Sequence, residues 1–274
     1  MENFSTQKEC VKFLEKNRWG DRPKCAYCES DHTYQALEKE RHHCNRCHRS
    51  FSVTVGTIFH GTKVPLQKWF LLIALMLNAK KGLSACQAAR DLGMRRTTVW
   101  SMMHRIRKSM KTNDVDLLKG IVEADETYVG GKPRRKNNSD DEPPKNKRGR
   151  GTNKECVIGI IERNGSVVAQ HQKGDKKLEF NSLKQFILGK IDIASVTLMT
   201  DDFLGYKPFS RLINHKTVNH STRQYVCDDV HTNTIESFWA ILKIGIKGQF
   251  HHVSAKYLHQ YLDEFCWKLS LIHI

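Results

Sequence analysis

The chain has 274 residues, enough for one large domain or two to three small ones. Lys and Arg outnumber Asp and Glu by 45 to 29, a net charge of +16, and 39% of the residues are apolar. There is material for real cores, but no apolar run reaches the roughly eighteen residues a membrane helix needs. The charge points to a polyanion such as nucleic acid.

The start, MENFSTQKECVKFLEK, carries early acids and no apolar run, so it does not read as a secretory signal. CVKFLEK within it predicts a short helix. Residues 21–56 are rich in Cys, His and basic side chains, with strand-like runs HTYQALE and FSVTVGT. Here Cys25-x2-Cys28 and Cys44-x2-Cys47 form two CxxC turns. Each turn points two sulfurs at one ion, so the pair predicts a tetrahedral, structural zinc site in a small ribbon of β structure. His42, His43 and His48 lie beside the second turn, as substitutes for a ligand or as phosphate-facing side chains. The odd total of nine cysteines argues against a disulfide framework and for a reducing cytosol, with the protein associated with DNA.

PLQKWFLLIALMLNAKK predicts a helix with a wide apolar face. LSACQAARDLG and RRTTVWSMMHRIRKSM predict two more helices around a turn at Leu92-Gly93-Met94, packed through Ala85, Ala88, Ala89, Leu92, Val99, Met103 and Ile106. This is a helix-turn-helix pattern. Arg95, Arg96, Thr97 and Thr98 would offer donors to a major groove, and Arg105, Arg107 and Lys108 would meet phosphates. Asn113 to Lys119 reads as a linker.

From Gly120 strands alternate with helices. IVEADETYV, CVIGIIER and SVVAQHQK predict three strands, NSLKQFILGKI a helix, ASVTLMT a strand, and TNTIESFWAILKIG a helix. A last helix, SAKYLHQYLDEFCWKL, would have Ser254 as N-cap and an apolar stripe of Tyr257, Leu258, Tyr261, Leu262, Phe265 and Leu269. Residues 132–155 hold nine Lys/Arg against four Asp/Glu and predict a basic surface loop. The chain thus reads as multi-domain: helix and zinc ribbon over 1–60, helix-turn-helix over 61–112, and an α/β catalytic domain over 120–274.

Asp125 lies 76 positions before Asp201, and Glu236 lies 35 after it. Two carboxylates at strand ends and one on a helix can converge on a pair of Mg²⁺ or Mn²⁺ ions about 3.5–4 Å apart, the arrangement that cuts and joins phosphodiesters. On the last-but-one helix Asn233, Glu236, Ala240 and Lys243 share a stripe. Lys243 would reach a phosphate. Glu126, Asp202, Asp228 and Asp229 read as solvated charges; of these Asp202 is the main rival to Asp201, which directly follows the strand. His220, His231, His251 and His252 stay unassigned.

RWGDRPKCAYC, HHCNRCHRSFSVTVGTIFH, PLQKWF, VWSMMHRIR, DETYVGGK, RGRGTNK, TDDFLGY, VNHS, HTNTIESFWAILKIGIKGQFHHVS and YLDEF together resemble insertion-sequence transposases. The likeness is to those with an N-terminal zinc ribbon and a DDE-type, RNase H-like catalytic domain, relatives of the Merlin DNA transposons. After YLDEF the chain departs from that pattern, reading CWKLSLIHI. The resemblance implies strand cleavage and transfer at terminal inverted repeats and on target DNA, by a homodimer or larger synaptic assembly, with Asp125 and Asp201 as metal ligands. Asn can stand in that family's third ligand position, so Asn233 and Glu236 are both candidates, the spacing and Lys243 favouring Glu236. A non-catalytic DNA-binding regulator and a metal nuclease that does not join strands are the alternatives.

Overall fold

The protein is described by a computed structural model over residues 4–36, 40–111, 116–131, 154–172, 179–218 and 230–272. The basic stretch 132–153 and His220, Asp228 and Asp229 lie outside these residues. Two compact units result, Met1–Ala79 with Ala85–Ser109, and Lys80–Ser84 with Met110–Ile274.

The first unit opens with α1 (Gln7–Trp19), started by a capping box in which Thr6 and Glu9 satisfy each other's backbone N–H groups. Three short antiparallel strands follow, β1 (Thr33–Ala36), β2 (Arg41–Cys44) and β3 (Ser50–Phe51), in the order β1-β2-β3. The run FSVTVGT is not the strand its composition suggests. Pairing stops at Phe51. Beyond it Thr57 Oγ1 donates to the Thr54 carbonyl at 2.7 Å, and Arg18 Nη1 donates to the carbonyls of Val53 and Val55 at 2.6 Å each. Side-chain bonds to the backbone have displaced the sheet ladder. The same guanidinium fastens α1 to the ribbon, beside a buried Glu15–His42 contact of 2.8 Å.

Three helices complete this unit: α2 (Leu66–Asn78), α3 (Ala85–Leu92) and α4 (Arg96–Ser109). Of the apolar run in α2, Leu66, Trp69, Leu72 and Met76 are the buried face. α3 ends in a Schellman turn, with Met94 N–H on the Ala89 carbonyl at 3.0 Å and Gly93 N–H on that of Arg90 at 3.2 Å. Gly93 has φ +58°, so glycine is the residue that makes this turn without strain. Among the described residues no helix is long and apolar enough to cross a membrane.

The second unit is built on a five-stranded mixed sheet, β4 (Leu118–Val129), β5 (Glu155–Glu162), β6 (Val167–His171), β7 (Ile191–Asp201) and β8 (Asn214–Val218), in the order β6-β5-β4-β7-β8. β4 runs antiparallel to β5 and parallel to β7. Helix α5 (Phe180–Leu188) covers one face over Val122, Ala124, Ile158, Ile160 and Leu198. Helices α6 (Asn233–Gly245) and α7 (Ala255–Ile272) cover the other over Val129, Val157 and Ile161. The alternation of odd and even positions along β4 and β5 decides which residue meets which helix. α7 runs on to Ile272, and Cys266 of the divergent segment CWKLSLIHI joins this second core.

Candidate active site and zinc site

The four cysteine sulfurs lie within 4.8 Å of one another, with Cys25–Cys47 and Cys28–Cys44 both at 3.6 Å. Zn–S bonds of about 2.3 Å at tetrahedral angles imply sulfur separations of about 3.8 Å, so the thiols fit zinc. Each knuckle is closed by the residue after its second cysteine, Glu29 at φ +58° and His48 at φ +53°. The backbone N–H groups of Cys47 and Arg46 favour the Cys44 thiolate and draw that thiol down to about 6. No histidine joins the set: His42 contacts Glu15, and His43 contacts Ser50 at 3.2 Å.

In the second unit β4 and β7 pair Glu123 with Met199. Two residues further along each strand, on the same face, stand Asp125 and Asp201. Parallel strands lie about 4.8 Å apart, so the register makes these two acids neighbours on the side that α6 covers. Asp201 is the last residue of β7, and its Oδ1 accepts from the Phe203 N–H at 3.2 Å as the chain turns away. Asp125 Oδ2 accepts from the indole Nε1 of Trp239 at 3.1 Å. That indole packs closely against β5 because residue 159 is glycine. A Cβ there would stand 2.6 Å from the Trp239 ring.

Helix α6 buries Ile235, Phe238, Trp239 and Leu242 and exposes Asn233, Glu236, Ala240 and Lys243. Glu236 Oε1 accepts from the Thr232 hydroxyl at 3.1 Å. The charges sense one another. Burial, the Glu126 charge and then those of Asp201 and Glu236 push Asp125 up to about 7. Burial lowers Lys243, while Asp125 and Glu236 act to raise it. Such crowding is costly without a cation, and the donors are all oxygen, so the residues fit hard divalent ions. The carboxylates do not close up as the thiols do. Among the described residues the cysteines alone bring three or more ligand atoms within 4.8 Å of each other.

Several residues of this site went unread in the sequence. Glu126, expected to be a solvated charge, points to the opposite face of β4 and accepts from the buried Tyr206 hydroxyl at 3.2 Å. Glu123 is fully buried and bound to Arg163 at 2.7 Å. Trp239 reads in the sequence only as core. Strand β8 is a further element with no clear signal in the sequence.

At the start of α4, Arg95, Arg96 and Thr97 are exposed and Thr98 half-buried. Arg107 does not stand where a phosphate contact needs it. It is 1% exposed because it follows Met103 by four positions and shares its packing face. Arg105 donates to the His60 carbonyl at 2.7 Å and lies over the Trp69 ring, so its guanidinium is engaged within the unit.

Residues 117–270, more than half of the chain, match the ISXO2-like transposase domain, and residues 5–50 match the transposase zinc-ribbon domain. The chain belongs to the ISXO2-like transposase family. It is 27% identical over 253 residues to a protein of the transposable element ISH50 of Halobacterium salinarum, covering 86% of this chain and 82% of that one. Solved structures similar to it include the HTLV-2 integrase catalytic core in complex with magnesium, 13% identical, with 57% of this chain and 88% of that chain covered at a TM-score of 0.31. The Mos1 strand transfer complex is 14% identical, with 76% of this chain and 75% of that chain covered at a TM-score of 0.31.

Proposed function

We propose that this transposase binds the terminal inverted repeats of its element and catalyses metal-dependent DNA cleavage and strand transfer. Asp125, Asp201 and Glu236 are the metal ligands in this reading, with Asn233 the alternative to Glu236. The observation that carries it is the register: Asp125 and Asp201 share a row on adjacent parallel strands, on the face where α6 presents its acid. Two Mg²⁺ or Mn²⁺ ions, when bound, supply activation of a water or 3′-hydroxyl and stabilisation of the leaving oxygen.

The chain's own residues orient the rest. Trp239 fixes one oxygen of Asp125, and the turn after β7 fixes one of Asp201. Lys243, two turns along α6 from Glu236, is placed to hold a phosphate against them. In the first unit α3 and α4 act as a helix-turn-helix, with Arg95, Arg96, Thr97 and Thr98 at the groove and the ribbon as a second contact. Joining two ends needs two sites, hence a dimer or larger synaptic assembly.

The test is strand transfer on DNA carrying candidate element ends, with Mg²⁺ or Mn²⁺, comparing wild type with Asp201→Ala. Joined product from the wild type and none from a variant that still binds DNA supports the reading. DNA binding by the wild type with no metal-dependent cleavage would leave a regulator.

A further inference from the structure

We infer that Glu123 and Arg163 are a positioning pair that sets where the third acid stands relative to the first two. This rests on the reading of Asp125, Asp201 and Glu236 as metal ligands. The pair touches all three elements that carry them, one pleat behind the site. Glu123 is on β4, two residues before Asp125. Arg163 Nη2 lies 3.2 Å from the sulfur of Met199 on β7, two residues before Asp201, and donates to the His231 carbonyl at 3.1 Å in the lead-in to α6.

The contact with α6 is unusual in its source. A helix begins with backbone N–H groups that have no partner inside it, and the residue before the helix usually supplies an acceptor. Thr232 makes no such side-chain bond here. The acceptor is Glu123, from the sheet. Its Oε2 takes the N–H of Thr234 at 2.8 Å and of Ile235 at 3.1 Å, and its Oε1 takes the Thr234 hydroxyl at 2.9 Å. His231 Nδ1 stands 3.2 Å from Oε1. A buried carboxylate with this many donors is stabilised by them and by Arg163, and it favours the positive end of the helix dipole. The first turn of α6, which bears Asn233 and Glu236, is therefore fastened to the strand that bears Asp125. Its placement comes from β4 and not from its own cap.

Removing one partner would strand a buried charge, whereas replacing both by apolar residues of similar volume tends to spare the fold. The experiment therefore uses the zinc-loaded full chain as wild type, as the double variant Glu123→Met/Arg163→Met, and as Arg163→Lys. Mn²⁺ titrations followed by electron paramagnetic resonance are run beside thermal melts. Supporting residues behind metal ligands typically change metal affinity by about 10–100-fold. The double variant is expected to melt as a folded protein and to bind Mn²⁺ at least about tenfold more weakly. Cleavage in it should return at high Mn²⁺, a change in metal requirement more than in maximal rate. Arg163→Lys, which keeps the charge, should lie between the double variant and wild type. Wild-type Mn²⁺ affinity in whichever variant stays folded would overturn the inference. Wild-type Mn²⁺ binding unaltered by Asp201→Ala would instead sink the metal-site reading itself.

Discussion

The two candidate metal sites of this chain are built in opposite ways. The four thiols come from two short turns only 22 residues apart from first to last, and they already stand within 4.8 Å of one another. The three acids come from two strands and a helix spread over 111 residues, and they come to one side of the sheet only because β4 pairs with β7 and α6 lies on it, without closing up as the thiols do. In the first site the ion organises the protein. In the second the protein places the acids, and burial together with the charge gathered there raises Asp125 to about 7. A structural site can be read from spacing, whereas a catalytic one depends on a register that spacing only hints at.

The largest effect should come from breaking the zinc site. Cys44→Ser, or removal of zinc by a chelator, should unfold the ribbon, because so small a core needs its metal to fold. The sheet of the second unit should survive. Limited proteolysis checks this: new cleavage within residues 20–56 on zinc removal, with the cutting pattern of the second unit unchanged, fits, and new cleavage in both would mean that the second unit also depends on the metal.

Gly159→Ala strikes the other site without touching an acid. The new Cβ would meet the Trp239 ring at 2.6 Å, and that ring holds Asp125. Overpacking of this kind costs about 1–3 kcal/mol. The melting temperature should fall and cleavage should fall with it, while zinc content stays at one per chain. Unchanged cleavage would show that the indole does not place Asp125.

Asp263, on α7, gives a pH signature away from both sites. Burial pushes its carboxyl up to about 6, with Lys111 pulling the other way, and His171 and His259 line the same cavity. The folded protein thus holds this proton more tightly than the unfolded chain does. Stability from this group is present at low pH and falls as pH rises from about 4 to about 6. Asp263→Asn should therefore raise the melting temperature at pH 7 and have little effect near pH 4. An equal gain at both pH values would contradict the assignment.

The smallest effect belongs to the zinc knuckles. Glu29→Gly or His48→Gly replaces a side chain held at positive φ and should raise the melting temperature of the zinc-loaded chain by the equivalent of up to about 1 kcal/mol. A loss would show that these side chains make contacts worth more than the strain.

What the sequence disclosed follows the same division. The CxxC pairs, the helix periods and the end of β7 at Asp201 are local signals, whereas Asp125 stands inside β4, which runs on to Val129, and not at the strand end its sequence suggests. The run FSVTVGT has strand composition, but its Thr hydroxyls and Arg18 take the backbone carbonyls. Strand β8, NHKTV, is an edge with one buried residue, Val218, so it has no apolar alternation to notice. Glu123 and Glu126 look alike beside Asp125, yet the pleat sends one to the helix α6 and the other to Tyr206. Arg163 follows β5 by one residue and gains its role only when β4, β7 and α6 are assembled.

The most direct test of the central claim is an anomalous difference map from crystals grown with Mn²⁺. Manganese peaks are expected against the Asp125 and Asp201 carboxylates, with Glu236 or Asn233 completing the shell. Peaks elsewhere with none at these two acids would contradict it.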